Sequence, residues 1–418
     1  MNCNKCRWVS NYKKIFMEVK MISVGIDVSK EKSTVCILKP YGEVIRSPYE
    51  VTHTETQLLE LVSTIINLGD EVRVVMEATG NYHLAILSFL KEHGIFVSVI
   101  NPFVMKKYVN MTLRKGKTDK QDAIKIANYG LDNWFHLTDY EVREEVYSQL
   151  KILGRQYAHY IKLKVESKVS LTNLLDHTMP GIKKIMKNQS NRPEKDKLSD
   201  FVEEYWHYDN ITKKSEKQFI NSYNSWAKKK GYHPSDTKAL EIYAVAQEGI
   251  PTLPSNTPST KMLVLEAVRV LREIDKTLVV ILSQMQELAK SLKEYTVVRE
   301  MSGVGDTLAP RLIAEIGDIK RFYGGKALVA YAGIDAPPYQ SGLFTSSKRK
   351  ISKRGSAVLR KTGYEVMKCL KTHKPENDPV YLFMLKKETE GKAPKVAKIA
   401  GLNKFLRIYY ARVKEVYQ

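Results

Sequence analysis

From Val264 to Tyr295, apolar residues recur alternately three and four positions apart: Val264, Ala267, Leu271, Ile274, Leu278, Ile281, Met285, Leu288, Leu292 and Tyr295. No other stretch of the chain is as periodic, and the spacing admits little besides a long helix with one apolar seam. The seam predicts a coiled coil, formed with a second copy of the chain or with the helical stretch at about 139–175. A single long helix lying on its own domain is the remaining reading. The proline-rich run 251–258 just before it reads as a linker or helix entry.

Nearer the N-terminus the period changes. Ile22–Val28 reads as a strand that delivers Asp27 near its end, and Ser33–Leu38 as the next strand, with Pro40–Glu43 turning the chain into Val44–Ile45. Thr54 to Leu68 has helical spacing. Val72–Met76 is a mostly apolar strand ending on Glu77, followed by a helix from about Tyr82 to His93 and a strand at Ile95–Ile100. This order predicts an α/β domain whose inner strands are covered on both faces. A helical stretch then runs to about Leu175, and residues 182–250, polar and spotted with aromatics, carry no readable period. The organisation expected is a basic extension 1–20, an α/β domain 21–138, a helical and coiled-coil spacer 139–300 with a polar insert 182–258, a mainly helical domain 301–372, and a basic extension 373–418.

Charge narrows the partners. With 67 Lys+Arg against 46 Asp+Glu the formal charge is +21, which favours a polyanion. Residues 341–418 alone hold 19 Lys+Arg and 6 Asp+Glu, so this end is the expected contact. No run of 18 or more apolar residues occurs, which excludes a spanning helix and leaves only surface attachment as a membrane reading. Four cysteines are too few for a disulfide framework, and the start does not resemble a signal peptide; both point to a reducing, cytoplasmic setting. Cys3 and Cys6 have the spacing of half a zinc site, but no second pair matches them.

Four carboxylates stand out in the α/β domain: Asp27 and Glu77 at strand ends, and Asp119 and Asp122, three apart and so on one face of a helical turn. If the strand ends are neighbours, all four reach one sheet edge. Hard oxygen ligands gathered there suit Mg²⁺, and a pair of such ions can assist phosphoryl transfer. The other reading makes each a separate surface acid.

Six segments carry a family resemblance: VGIDVSKEKSTVCIL, VVMEATGNYH and KTDKQDAIKIA in the first domain, then MSGVGDTLAPRLIAEIGDIKRF, ALVAYAGIDAPPYQSG and ISKRGSAVLRKTGYEVM in the last. Together they resemble the IS110-type, or DEDD, insertion-sequence transposases, whose first domain is similar to the RuvC resolvase (RNase H-like) fold. The resemblance implies an acidic tetrad at Asp27, Glu77, Asp119 and Asp122 holding Mg²⁺, two ions per site, with Mn²⁺ as a substitute. It also implies a catalytic serine, which the QSG motif puts at Ser341. A serine hydroxyl needs help to attack a phosphodiester; Lys348, Arg349, Lys350, Lys353 and Arg354 lie just beyond it in sequence and are the residues expected to clamp the phosphate, with Arg360 as an addition to them. The implied activity is excision of the element as a circle and its insertion elsewhere. The partners would be donor and target DNA, a structured noncoding guide RNA, and further copies of the chain in a homodimer or homotetramer. Two rivals stay open: a structure-selective nuclease for branched DNA that uses the carboxylates alone, and a nucleic-acid-binding protein without chemistry.

Overall fold

The computed structural model describes residues 21–69, 71–78, 80, 82–110, 118–140, 145–186, 196–337 and 350–418, with the backbone of 340–341 and 344–345. Cys3 and Cys6 lie outside the described residues. The chain divides into two compact units, Met1–Val142 and Arg143–Gln418.

In the first unit, strands β1 (Met21–Val28), β2 (Lys32–Leu38), β3 (Val44–Thr52), β4 (Glu71–Glu77) and β5 (Val97–Ile100) form one sheet in the order β3-β2-β1-β4-β5. β1, β2 and β3 are an antiparallel meander, and β4 and β5 add parallel to β1. Helices α1 (Glu55–Ile66), α2 (His83–Glu92), α3 (Pro102–Asn110) and α4 (Asp119–Asp132) cover it. This is the α/β arrangement expected, with one extension: β3 continues past Ile45 through Pro48 to Thr52. An edge strand admits proline because one side of its backbone needs no ladder bond.

Alternation along β1 explains both faces. Ile22, Val24 and Ile26 are buried and pack with Leu58, Leu61, Val62 and Ile65 of α1 and with Ile86, Leu87 and Leu90 of α2. Ser23 and Gly25 face the other way, where α4 lies very close. A Cβ on Gly25 would stand 2.3 Å from the Ala127 nitrogen and 2.4 Å from the Ala123 oxygen, and one on Gly130 would stand 2.2 Å from Ser23 Oγ.

The second unit is built on two long helices, α5 (Glu145–Thr178) and α11 (Pro258–Lys290). Tyr147, Leu150 and Tyr157 of α5 share a core with Ile274, Leu278, Met285 and Ala289 of α11, whereas Leu171 and Leu175 share one with Val264, Val268 and Leu271. The pair is therefore antiparallel, and the seam is filled by α5 of the same chain. Lys164 and Asp275 form an ion pair across it.

Between them, α6 (Ile182–Ile185), α7 (Lys197–Glu204), α8 (Asp209–Thr212), α9 (Glu216–Lys229) and α10 (Asp236–Glu248) turn the polar insert into a folded cap. Its core is aromatic: Phe201, Tyr205, Tyr208, Phe219, Tyr223 and Trp226 are all buried. After α12 (Tyr295–Arg299) come α13 (Gly305–Ile316), α14 (Gly325–Tyr331), a hairpin of β6 (Gln340–Ser341) and β7 (Phe344–Thr345), and α15 (Ala357–His373), α16 (Pro379–Thr389) and α17 (Pro394–Glu415). These helices share the core at the α5 start and α11 end. Among the described residues no helix is long and apolar enough to cross a membrane.

The contact at Gly25 is with backbone, which cannot swing aside. Gly25→Ala is expected to lower stability in a urea titration by about 1–3 kcal/mol, the usual cost of overpacking.

Candidate active site

The close approach of α4 to β1 sets the geometry. Gly130 meets Ser23, while Ala123 and Ala127 meet Gly25, so α4 runs antiparallel to β1 and its first turn lies toward the C-terminal end of the strand. Asp27 is the next residue on that face of β1, about 6.6 Å beyond Gly25 at ~3.3 Å per residue. Asp119 and Asp122 sit in the first turn of α4. β4 supplies the last member. Its parallel register sets Gly25 beside Val75 and Ile26 beside Met76, which carries Glu77 abreast of Asp27 on the neighbouring strand. Val75 faces α4, since a Cβ on Gly130 would meet its Cγ2, and Glu77 two residues on shares that face. Three elements thus set the four acids toward the same end of the sheet.

The local electrostatics suit acids there. Thr118 caps α4 by accepting from the Gln121 N–H, and the amino end of a helix favours negative charge. Lys125 lies 3.1 Å from Asp122. Lys32 lies 2.7 Å from Glu50; the hydrogen bond and charge of Glu50 hold its ammonium above the ordinary range, and Asp119 adds to this. Asp27, Glu77 and Asp122 are half-buried and Asp119 is exposed, so this end of the sheet is open to solvent. Among the described residues no three His, Cys, Asp or Glu side chains are gathered as a ready metal cage. The donor set itself fits a hard divalent cation, being all carboxylate oxygen.

The other predicted residues belong to the second unit. Ser341 ends β6, paired with Phe344 of β7. Lys348 and Arg349 lie outside the described residues. Lys350, Lys353 and Arg354 are exposed on the loop before α15, with Lys353 at φ 53°. That loop is stitched to the segment leading towards Ser341. Ser352 N–H donates to Asp335 O at 2.8 Å, Lys353 N–H to Gly333 O at 3.0 Å, and Ser356 N–H to Tyr331 O at 2.7 Å. Ser352 Oγ also donates to Asp335 Oδ1. Only glycine fits at 355, where a Cβ would stand 2.1 Å from Tyr331 O. Arg360, half-buried, donates through Nη1 to Ala332 O at 2.8 Å and thus helps hold the loop.

Sequence reasoning missed what lies beneath. Glu315 is 3% exposed and accepts from Ser356 Oγ at 2.6 Å, with Lys151 Nζ 2.9 Å from the same oxygen. Lys151 also donates to the Tyr331 hydroxyl at 3.1 Å. Burial pushes that hydroxyl up, but the charges of Lys151 and Arg321 outweigh it and hold it below the ordinary tyrosine range. The available signal was an acid inside the apolar run Leu312–Ile316.

Two family models match the chain. One for the DEDD transposases of the IS110 type covers residues 24–180, and one described as "Transposase IS116/IS110/IS902 family" covers 295–382; together they span more than half of the sequence. The "Insertion element IS116 uncharacterized 44.8 kDa protein" of Streptomyces clavuligerus is 22% identical over 78% of this chain and 79% of its own. The "Pilin gene-inverting protein" of Moraxella bovis is 22% identical over 94% of this chain and 95% of its own. Among solved structures, Thermus thermophilus RuvC aligns over 29% of this chain and 100% of its own, with 13% identity and a TM-score of 0.23.

Because one hydroxyl caps the turn that carries two of the acids, Thr118→Ala is expected to cost about 0.5–2 kcal/mol of stability. Hydrogen exchange at the amides of 119–122 should speed up accordingly, with little change in the strands.

Proposed function

We propose, because the chain belongs to the IS110-type insertion-sequence transposases, that it recombines DNA with two sets of groups: the carboxylates Asp27, Glu77, Asp119 and Asp122, and the hydroxyl of Ser341. The chain is a DNA recombinase, and its partners include DNA. The observation that carries the acidic half of the reading is the parallel register of β1 and β4, which sets Glu77 abreast of Asp27 where α4 begins. The four carboxylates hold divalent cations, Mg²⁺ first among them, which when bound neutralise phosphate charge and polarise the reacting oxygens.

The serine half rests on the QSG motif. Ser341 Oγ attacks a phosphodiester: an Oγ–phosphorus ester forms, the bond from phosphorus to a deoxyribose oxygen breaks, and that oxygen leaves as a hydroxyl after taking up a proton. Attack on the serine ester by a hydroxyl of the other DNA reverses these changes and restores Ser341. Lys348, Arg349, Lys350, Lys353 and Arg354 grip the phosphate, and Arg360 supports them. A structured noncoding RNA chooses donor and target by pairing. The formal charge of +21 supports a polyanionic partner on this scale. Assembly into a dimer or tetramer uses the outer faces of the α5–α11 pair, where Val165, Val169, Val279 and Val280 are exposed, since the seam itself is filled.

The test is made in cells that carry this gene with its native flanking DNA. Sequencing across the excision junction should show a precise circle for the intact chain and none for Asp27→Ala or Ser341→Ala. A junction that survives loss of Ser341 would falsify the serine step and favour hydrolysis by the carboxylates alone. For the purified chain, replacing both Lys353 and Arg354 with Ala should flatten the log Kobs against log salt slope for duplex binding by roughly 2, at ~0.9 per lost phosphate contact. Fluorescence anisotropy across a salt series reads this directly.

A further inference from the structure

We infer that Glu315 is a positioning residue for the strand-transfer site, acting through Ser356 on the basic loop before α15. The inference rests on the proposed role of Ser341 and names a residue beyond it. Glu315 lies at the end of α13, among Leu312, Ile313, Ala314 and Ile316, all buried. A carboxylate at such a site is costly unless it is both paired and hydrogen-bonded. Here Oε1 meets the Lys151 ammonium at 2.9 Å and the Ser356 hydroxyl at 2.6 Å, and Arg155 approaches to 3.7 Å. The backbone oxygen of Glu315 accepts from Lys151 at 2.9 Å and from the Tyr331 hydroxyl at 3.2 Å. One residue therefore gathers groups from α5, α14 and the start of α15.

What these groups hold is informative. Ser356 is the N-cap of α15, accepting from Leu359 N–H at 3.0 Å, and its own N–H donates to Tyr331 O. Tyr331 ends α14 and begins the segment 331–335, which runs on towards β6 and Ser341. Lys353 and Arg354 lie within four residues before Ser356, and Arg360 four residues after it. Glu315 thus anchors the root of the serine segment and the root of the phosphate-gripping loop at one buried point. A hydroxyl nucleophile and its charge clamp work only when their mutual placement is fixed, and a small displacement costs rate without costing affinity. A fold needing only an apolar filler at 315 would be served as well by leucine. The buried ion pair makes sense as a device that fixes one arrangement of the loop.

The experiment uses the full chain with its native RNA and element-end DNA, and measures junction formation at saturating DNA, DNA affinity and thermal unfolding for Glu315→Gln, Ser356→Ala, Ser356→Thr and the double variant Glu315→Gln with Ser356→Ala. Glu315→Gln and Ser356→Ala are each expected to slow junction formation by about tenfold or more, with affinity within about twofold. Ser356→Thr, which keeps the hydroxyl, should retain the rate within about threefold, and the double variant should lose little beyond either single change. Losses that multiply in the double variant, that follow the folded fraction or the affinity, or that are absent altogether, overturn the inference. If Glu315→Gln fails to fold, the contrast between Ser356→Ala and Ser356→Thr decides it alone. Ser341→Ala runs alongside: activity without that hydroxyl discards the serine reading, whereas its loss together with full activity of Glu315→Gln discards only the role of Glu315.

Discussion

The first unit depends on how closely α4 can approach β1. A helix usually packs on a sheet with side chains filling the gap between the two backbones. Here Ser23 and Gly25 on the strand, and Ala123, Ala127 and Gly130 on the helix, remove those side chains, and backbone meets backbone. The consequence reaches the candidate site. With no slack between the two elements, the first turn of α4 has one place to go, beside the end of β1. Asp27, Asp119 and Asp122 are therefore set at the same end of the sheet by packing. Glu77 is added by the hydrogen-bonded register of β4, an independent constraint that converges on the same end.

The second unit solves a different problem. Two helices of 34 and 33 residues expose too much apolar surface to stand alone, and each end of their pair is sealed differently. At one end five short helices close over an aromatic cluster in which Phe201 meets Tyr205, Tyr223 and Trp226. At the other end the helices from α12 to α17 pack against the pair. The penultimate residue, Tyr417, takes part in that closure, donating to the buried Glu294, which also accepts from Tyr147 at 2.7 Å. The C-terminal helix α17 is thereby tied to the first turns of α5.

Much of this was legible in the sequence, and the illegible parts have physical reasons. β1 and β4 declared themselves because strands buried on both faces must be almost wholly apolar, so an acid at their ends is conspicuous. The full length of β3 was hidden by Pro48, which reads as a breaker until the strand is known to lie at an edge. The seam of α11 was plain, but periodicity reveals a face and not what covers it; that α5 does so appears only in three dimensions. Residues 197–248 gave no period because much of their core is tyrosine and tryptophan, which read as neither firmly apolar nor polar. The capping box at Ser215 and Gln218 was the local sign that a helix began there. The candidate serine came from motif resemblance alone, and Glu315 escaped because one acid in an apolar helix has no spacing partner.

The antiparallel α5–α11 pair also sets a distance. Val264 belongs to the aromatic-capped core and Ala289 to the core beneath the serine segment, and 25 residues of one helix separate them. At ~1.5 Å per residue this is about 37 Å of stiff rod. One turn of duplex DNA measures about 34–36 Å. The rod is thus close to one helical repeat long, and a duplex laid along it presents the same face of its groove to both ends.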